Sequence, residues 1–246
     1  MSFADATPQE EYSLAVERMA VRALDALDVV GGADATAPGT VLGADLFAPH
    51  LLSGAPLHAG LAEAVAMADA FRTFPPEHAS GQQLNGQQLS GRQSGAQRPS
   101  DATVVGWRDW AASEVLSRCG LPPLVRPPAE STPAAPEDGE GRWQDWSLWM
   151  AKLSPLAVPG LDSPVHESAR HGMRALGRGT VRAMLRRDYR TAARIARWLA
   201  LGQASGLQSP LRLEPLFRQV RLFGGPSART ALDVRVGERL ALAVER

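Results

Sequence analysis

Between Thr180 and Leu201 the chain sorts its apolar residues and its arginines onto opposite sides of a helix, and a helix of that kind must lay one side on a core. Turning about 100° per residue from Val181 gathers Met184, Leu185, Ala192, Ile195, Ala196 and Leu199 around one direction. Arg182, Arg186, Arg187, Arg190, Arg194 and Arg197 fall on the other. Thr180 suits the N-cap and Gly202 the residue beyond the end. The preceding segment, from Ser163-Pro164, carries Val165, Ala169, Met173 and Leu176 on a different azimuth. Gly177 and Gly179 lie between the two phases, so the pattern predicts two helices with the junction at those glycines.

From Arg170 to Arg197 nine arginines meet a single acid, Asp188, while the whole chain has a formal net charge of zero. The neutral total therefore conceals a strongly dipolar distribution. Three readings follow for the arginine face. It can be a solvated face paired with acids elsewhere, worth little in stability; a surface that docks an acidic protein partner; or a surface that contacts nucleic-acid phosphate. The docking reading places Arg182, Arg186, Arg190, Arg194 and Arg197 at the contact. Asp188 falls in the middle of the apolar side, and a carboxylate buried there would have to be paired or protonated. It is the candidate buried acid.

At 246 residues, 44% of them hydrophobic, the chain can bury a substantial core. Thr7-Pro8-Gln9-Glu10 reads as a helix start, followed by Tyr12, Val16, Met19, Ala23, Leu27 and Val30 at helical spacing and stopped by Gly31-Gly32. Ala33 to Pro56 reads as an ordered loop, and Leu57 to Phe74 as a second helix ended by Pro75-Pro76. Gly81 to Gly95 repeats GQQLN-GQQLS-GRQSG, too polar and glycine-rich to offset its ordering entropy, and is expected to be a disordered linker. A second polar stretch, PPAESTPAAPEDGEG from Pro127, is expected to be extended and mobile.

The two linkers bracket an island containing Trp107-Arg108-Asp109-Trp110, echoed after the second linker by Trp143-Gln144-Asp145-Trp146. Tryptophans three apart share a helix face. Trp107, Trp110, Trp143 and Trp146 either anchor two helices on the core or form an aromatic platform that grips a partner. Leu213 to Leu222 suits a short helical or extended segment. Ala231 to Arg246 alternates like a β-hairpin around Gly237 yet also spaces Leu232, Val236, Leu240 and Ala243 as a helix, the preferred reading in this context. The expected fold is mainly α: a helical region over 1–78, a linker over 79–101, a tryptophan-containing helical island over 102–126, a linker over 127–141, and a C-terminal helical region over 142–246 with the arginine-rich helix.

The lone Cys119 permits neither an internal disulfide nor a cysteine zinc set. His50, His58, His78, His166 and His171 have no metal-ligand spacing, and no phosphate-binding glycine loop or nucleophile elbow occurs. Catalytic residues, metal ligands and cofactors are therefore all without sequence support. No run of about 18 apolar residues could span a bilayer, and the first residues lack the features of a signal peptide, so a cytoplasmic location is expected. The first expectation for function is a non-enzymatic interaction or adaptor protein of a multicomponent assembly, docking an acidic protein surface. A nucleic-acid-associated protein using the same arginines comes second, a helical enzyme third.

Overall fold

The computed structural model describes residues 8–28, 42–73, 75, 101–128, 132–137 and 142–243. Among them are ten α-helices and no strand: α1 (Pro8–Asp28), α2 (Ala48–Ser53), α3 (Ala62–Thr73), α4 (Asp101–Arg118), α5 (Trp143–Lys152), α6 (Pro164–His171), α7 (Met173–Leu185), α8 (Tyr189–Ala204), α9 (Leu213–Phe223) and α10 (Ala228–Leu242). The mainly α expectation holds, and the hairpin alternative at the C-terminus is replaced by α10. The GQQLN repeat and the Gly31-Gly32 stop lie outside the described residues.

The organising element is α8. It packs against α10, α7, α5 and α9, and from Ala192 to Ala200 every residue except Arg194 is buried. A helix surrounded on all sides needs small side chains so that neighbours can approach, which explains Ala192, Ala193, Ala196, Ala200 and Gly202. Helix α1 packs chiefly on α10 and also on α2, and it buries Val16, Met19, Ala20, Ala23 and Leu27. Helix α4 packs against α3, a 3₁₀ turn over Gly43–Phe47 and a second 3₁₀ turn over Ser154–Leu156. One continuous apolar cluster thus takes residues from α1, the α4 tryptophans and α10.

Three expectations change. The stretch read as a loop before Pro56 contains the 3₁₀ turn Gly43–Phe47 and α2, both too short to show a helical period. Residues 132–137 are not helical, but the segment is tied down, because the Ser168 hydroxyl donates to the Pro133 carbonyl (2.8 Å) and Ala135 packs on the core.

The third change concerns the arginine-rich helix. It is two helices, but the break falls at Arg186–Asp188 and not at Gly177–Gly179. Helix α7 runs through both glycines because they serve close packing: a Cβ on Gly179 would lie 2.5 Å from Cβ of Ser147 on α5. The true end is a Schellman motif, in which Asp188 N–H donates to the Ala183 carbonyl (2.9 Å) and Arg187 N–H to that of Met184 (3.0 Å). Arg187 occupies the left-handed position, φ 59°, that usually takes glycine. Asp188 is exposed, and its Oδ1 accepts from Thr191 N–H (3.1 Å) as the N-cap of α8. The buried-acid expectation for Asp188 is therefore overturned: it looked misplaced on a continuous helix because a new helix begins there.

Arg187→Gly should stabilise the protein by about 0.5–1 kcal/mol, the relief of a left-handed L-residue less the entropy glycine adds to the unfolded chain. Urea unfolding with an unchanged m-value would show it, and a lowered midpoint would contradict the assignment.

Candidate functional site

The nine arginines between Arg170 and Arg197 meet different fates, set by which side of α7 and α8 each occupies. On α7, Arg174, Arg178 and Arg182 recur every four residues and Arg186 continues the row at the helix end, so the four form one ridge. Gly177, Val181 and Leu185 recur with the same period, one step round the helix, and make a parallel apolar strip. Gly177 is buried, and beyond it the strip is open to solvent: Val181 is 42% and Leu185 81% exposed.

Trp143 at the start of α5 closes one side, with the Arg178 guanidinium carbon 4.6 Å and that of Arg182 5.9 Å from its ring centroid. Those distances suit cation–π attraction, which pre-orders both arginines. Pro210 and Leu211 close the other side. A Cβ on Gly177 would come 2.6 Å from Pro210 Cγ, so glycine there lets the 209–211 turn lie against α7. The result is an open groove of about 760 Å³ whose lining contains four arginines and no acid.

Arg190 and Arg194, on α8, do not belong to this groove. They line a separate cleft of about 290 Å³ together with Arg108 of α4, Lys152 of α5 and Arg229 of α10. Arg197 is 0% exposed. Its Nη2 pairs with Asp45, its Nη1 donates to Asp233 Oδ1 (3.2 Å) and its Nε to the Ala157 carbonyl (3.2 Å). Arg197 thus ties α8 to the 3₁₀ turn at Asp45 and to α10, and it cannot reach a partner from the folded surface. Burial opposes the charge on Arg197, but Asp45 and Asp233 outweigh it and hold the guanidinium above its ordinary range. Burial pushes the Asp233 carboxyl up, with Asp45 adding to the effect and Arg197 and Arg194 opposing it.

The tryptophans divide in the same way. Trp107 and Trp110 are buried on α4 with rings edge to face at 5.4 Å, and Trp146 is buried with its Nε1 donating to Ser168 Oγ (3.3 Å). Only Trp143 of the four is partly open. The internal echo of the W-x-D-W motif therefore builds core, and one of its members also lines the groove.

Two further groups are buried without lining either cavity. His166 Nε2 donates to the Leu156 carbonyl (3.0 Å), which can only accept, so Nδ1 accepts from the Ser163 hydroxyl (2.8 Å). Burial holds this imidazole below the usual histidine range. Ser163 is the N-cap residue of α6, and its hydroxyl goes to His166 and not to a backbone N–H of the first turn. Burial pushes the Cys119 thiol up. Among the described residues no group of three or more His, Cys, Asp or Glu converges as a metal site, and no helix is long and apolar enough to cross a membrane.

Sequence reasoning missed Arg174 and Arg178 because the glycines were read as a helix boundary, although the four-residue spacing from Arg174 to Arg186 was visible. It missed Arg108 and Arg229 because only the tertiary fold brings them to Arg190. Compared with models of protein families, with curated proteins and with solved structures, the chain matches none.

Proposed function

We propose that this chain is an interaction or adaptor protein of a multicomponent assembly, and that it docks an acidic, amphipathic helix of a protein partner into the groove along α7. The observation carrying this reading is the pair of parallel ridges: an arginine row with no acid in the groove lining, beside an apolar strip left in water. An exposed apolar strip rimmed by charge is the surface pattern of a helix-in-groove contact, in which apolar anchors at i, i+3/i+4 and i+7 sit on the strip. Acidic residues on the same partner helix would meet Arg174, Arg178, Arg182 and Arg186. Arginine suits this role because its planar fork takes a carboxylate through two hydrogen bonds. A partner recognised through phosphates alone would leave Val181 and Leu185 wet.

A labelled glutamate-rich peptide of about 18 residues, with leucines at helical spacing, is the test probe, since much shorter isolated helices are marginal in water. Fluorescence anisotropy should show saturable binding that weakens with salt. Arg178→Glu combined with Arg182→Glu should lower affinity at least tenfold, about 1.4 kcal/mol. Equal binding of a glutamate peptide without leucines, or no change in the double variant, would contradict the reading.

A further inference from the structure

The four arginines of the α7 ridge are not equivalent. Arg174 has an interaction of its own within the chain, and Arg186 is the capping residue past the last turn of α7. Arg178 and Arg182 share one neighbour, the indole of Trp143, with guanidinium carbons 4.6 Å and 5.9 Å from its ring centroid. Both are exposed, and among the described residues neither has a hydrogen bond or ion pair with a carboxylate.

Packing sets the place of Trp143. Ser147 lies one turn further along α5 on the same side, is buried, and meets α7 at Gly179, where a Cβ would lie 2.5 Å from Cβ of Ser147. That close approach carries Trp143, half-buried at the start of α5, against the arginines on either side of Gly179. Without the ring, Arg178 and Arg182 would be two long side chains loose in water, with rotamer entropy to lose on binding.

A guanidinium stacked over an indole spends a flat face on the ring and keeps its N–H edge free. What fits that edge is a planar acceptor with two oxygens, a carboxylate, taken through two hydrogen bonds. Four residues on a helix advance about 6 Å along its axis, at about 1.5 Å per residue. A helix lying along α7 repeats its own side chains at the same rise, so carboxylates four residues apart on it meet both arginines at once. Carboxylates two residues apart point to different sides, and only one can reach the pair.

Resting on the docking reading above, we propose that Trp143 sets the specificity of the groove. It holds Arg178 and Arg182 as a paired carboxylate clamp, which selects a partner helix with two acidic residues four apart beside its apolar row. Trp143 is thus a positioning residue that acts through the two arginines. Arg174 and Arg186 add general attraction at the two ends.

Two labelled peptides of identical composition, each of about 18 residues with leucines at helical spacing, test this by fluorescence anisotropy with the full chain. In one, two glutamates stand four residues apart beside the leucine row; in the other, the same glutamates stand two apart. Their net charge is equal, so general attraction cancels in the comparison. The wild-type chain should bind the first at least tenfold more tightly, and in Trp143→Leu the ratio should fall to about threefold or less. Trp143→Phe keeps an aromatic face and should give an intermediate ratio. Arg178→Gln with Arg182→Gln, at two exposed positions, should abolish the preference. A ratio between isomeric peptides is not moved by a loss of stability alone. Equal binding of the two peptides by the wild-type chain would overturn the selection and leave the docking reading standing. The wild-type ratio persisting in Trp143→Leu, or in Arg178→Gln with Arg182→Gln, would overturn the clamp. No binding of either peptide at low salt would overturn the docking reading and the selection with it.

Discussion

Arg197→Met should destabilise the protein by about 3–5 kcal/mol, the cost of stranding buried charge, against a total of about 5–15 kcal/mol for an ordinary domain. Asp45 and Asp233 would be left inside the fold facing each other, with Arg194 and Ser154 the remaining donors to Asp233. The loss is large because Arg197 joins elements far apart in sequence: the turn at Asp45, the carbonyl of Ala157, α8 and α10. The same reasoning predicts that Arg197→Met with Asp45→Leu and Asp233→Leu recovers most of the loss, since an apolar replacement removes the desolvation penalty along with the attraction. Denaturant unfolding of the single and triple variants measures both. A single variant within about 1 kcal/mol of wild type would mean that Arg197 is not the junction described here.

Trp198→Ala should cost about 3–5 kcal/mol, the range for deleting a buried aromatic side chain. Trp198 is buried one residue along α8, its Nε1 donates to the Met150 carbonyl on α5 (2.8 Å), and its ring meets the edge of His166 at 5.3 Å. Deletion opens a cavity where α5, α6 and α8 meet and leaves the Met150 carbonyl with the Leu153 N–H (3.1 Å) as its remaining donor. Trp198→Phe separates the two effects: most of the volume stays, one donor to a carbonyl that keeps another is lost, and about 0.5–1.5 kcal/mol should follow. If Phe and Ala cost the same, the hydrogen bond and not the packing governs the site. A loss below about 1 kcal/mol for Ala would contradict the burial.

The sequence made the helical class legible wherever a helix rests one face on the core. On α1 the spacing of Val16, Met19, Ala23 and Leu27 matches residues that are buried, whereas Tyr12, placed on the same face by its spacing, is exposed. Legibility fails on α8, because its neighbours bury almost everything from Ala192 to Ala200, and Arg197 looks like a continuation of the open Arg190 and Arg194 side until Asp45 and Asp233 are brought to it. Asp188 and the two α7 glycines mislead for a related reason. A capping aspartate and a misplaced acid look alike in one dimension, as do a packing glycine and a helix breaker. Half of the α7 ridge was readable, through Arg182 and Arg186. The cationic cleft was not, since Arg108, Arg190 and Arg229 become neighbours only through long-range packing.

If the apolar strip of α7 is left exposed for a partner, Leu185→Asp should remove the contact without unfolding the chain. Leu185 is 81% exposed, so the substitution should leave stability within about 0.5 kcal/mol of wild type. Binding of the acidic amphipathic peptide should fall at least tenfold, through the lost apolar anchor and a carboxylate set against the peptide's own. Unchanged affinity in a normally folded Leu185→Asp variant would contradict the account.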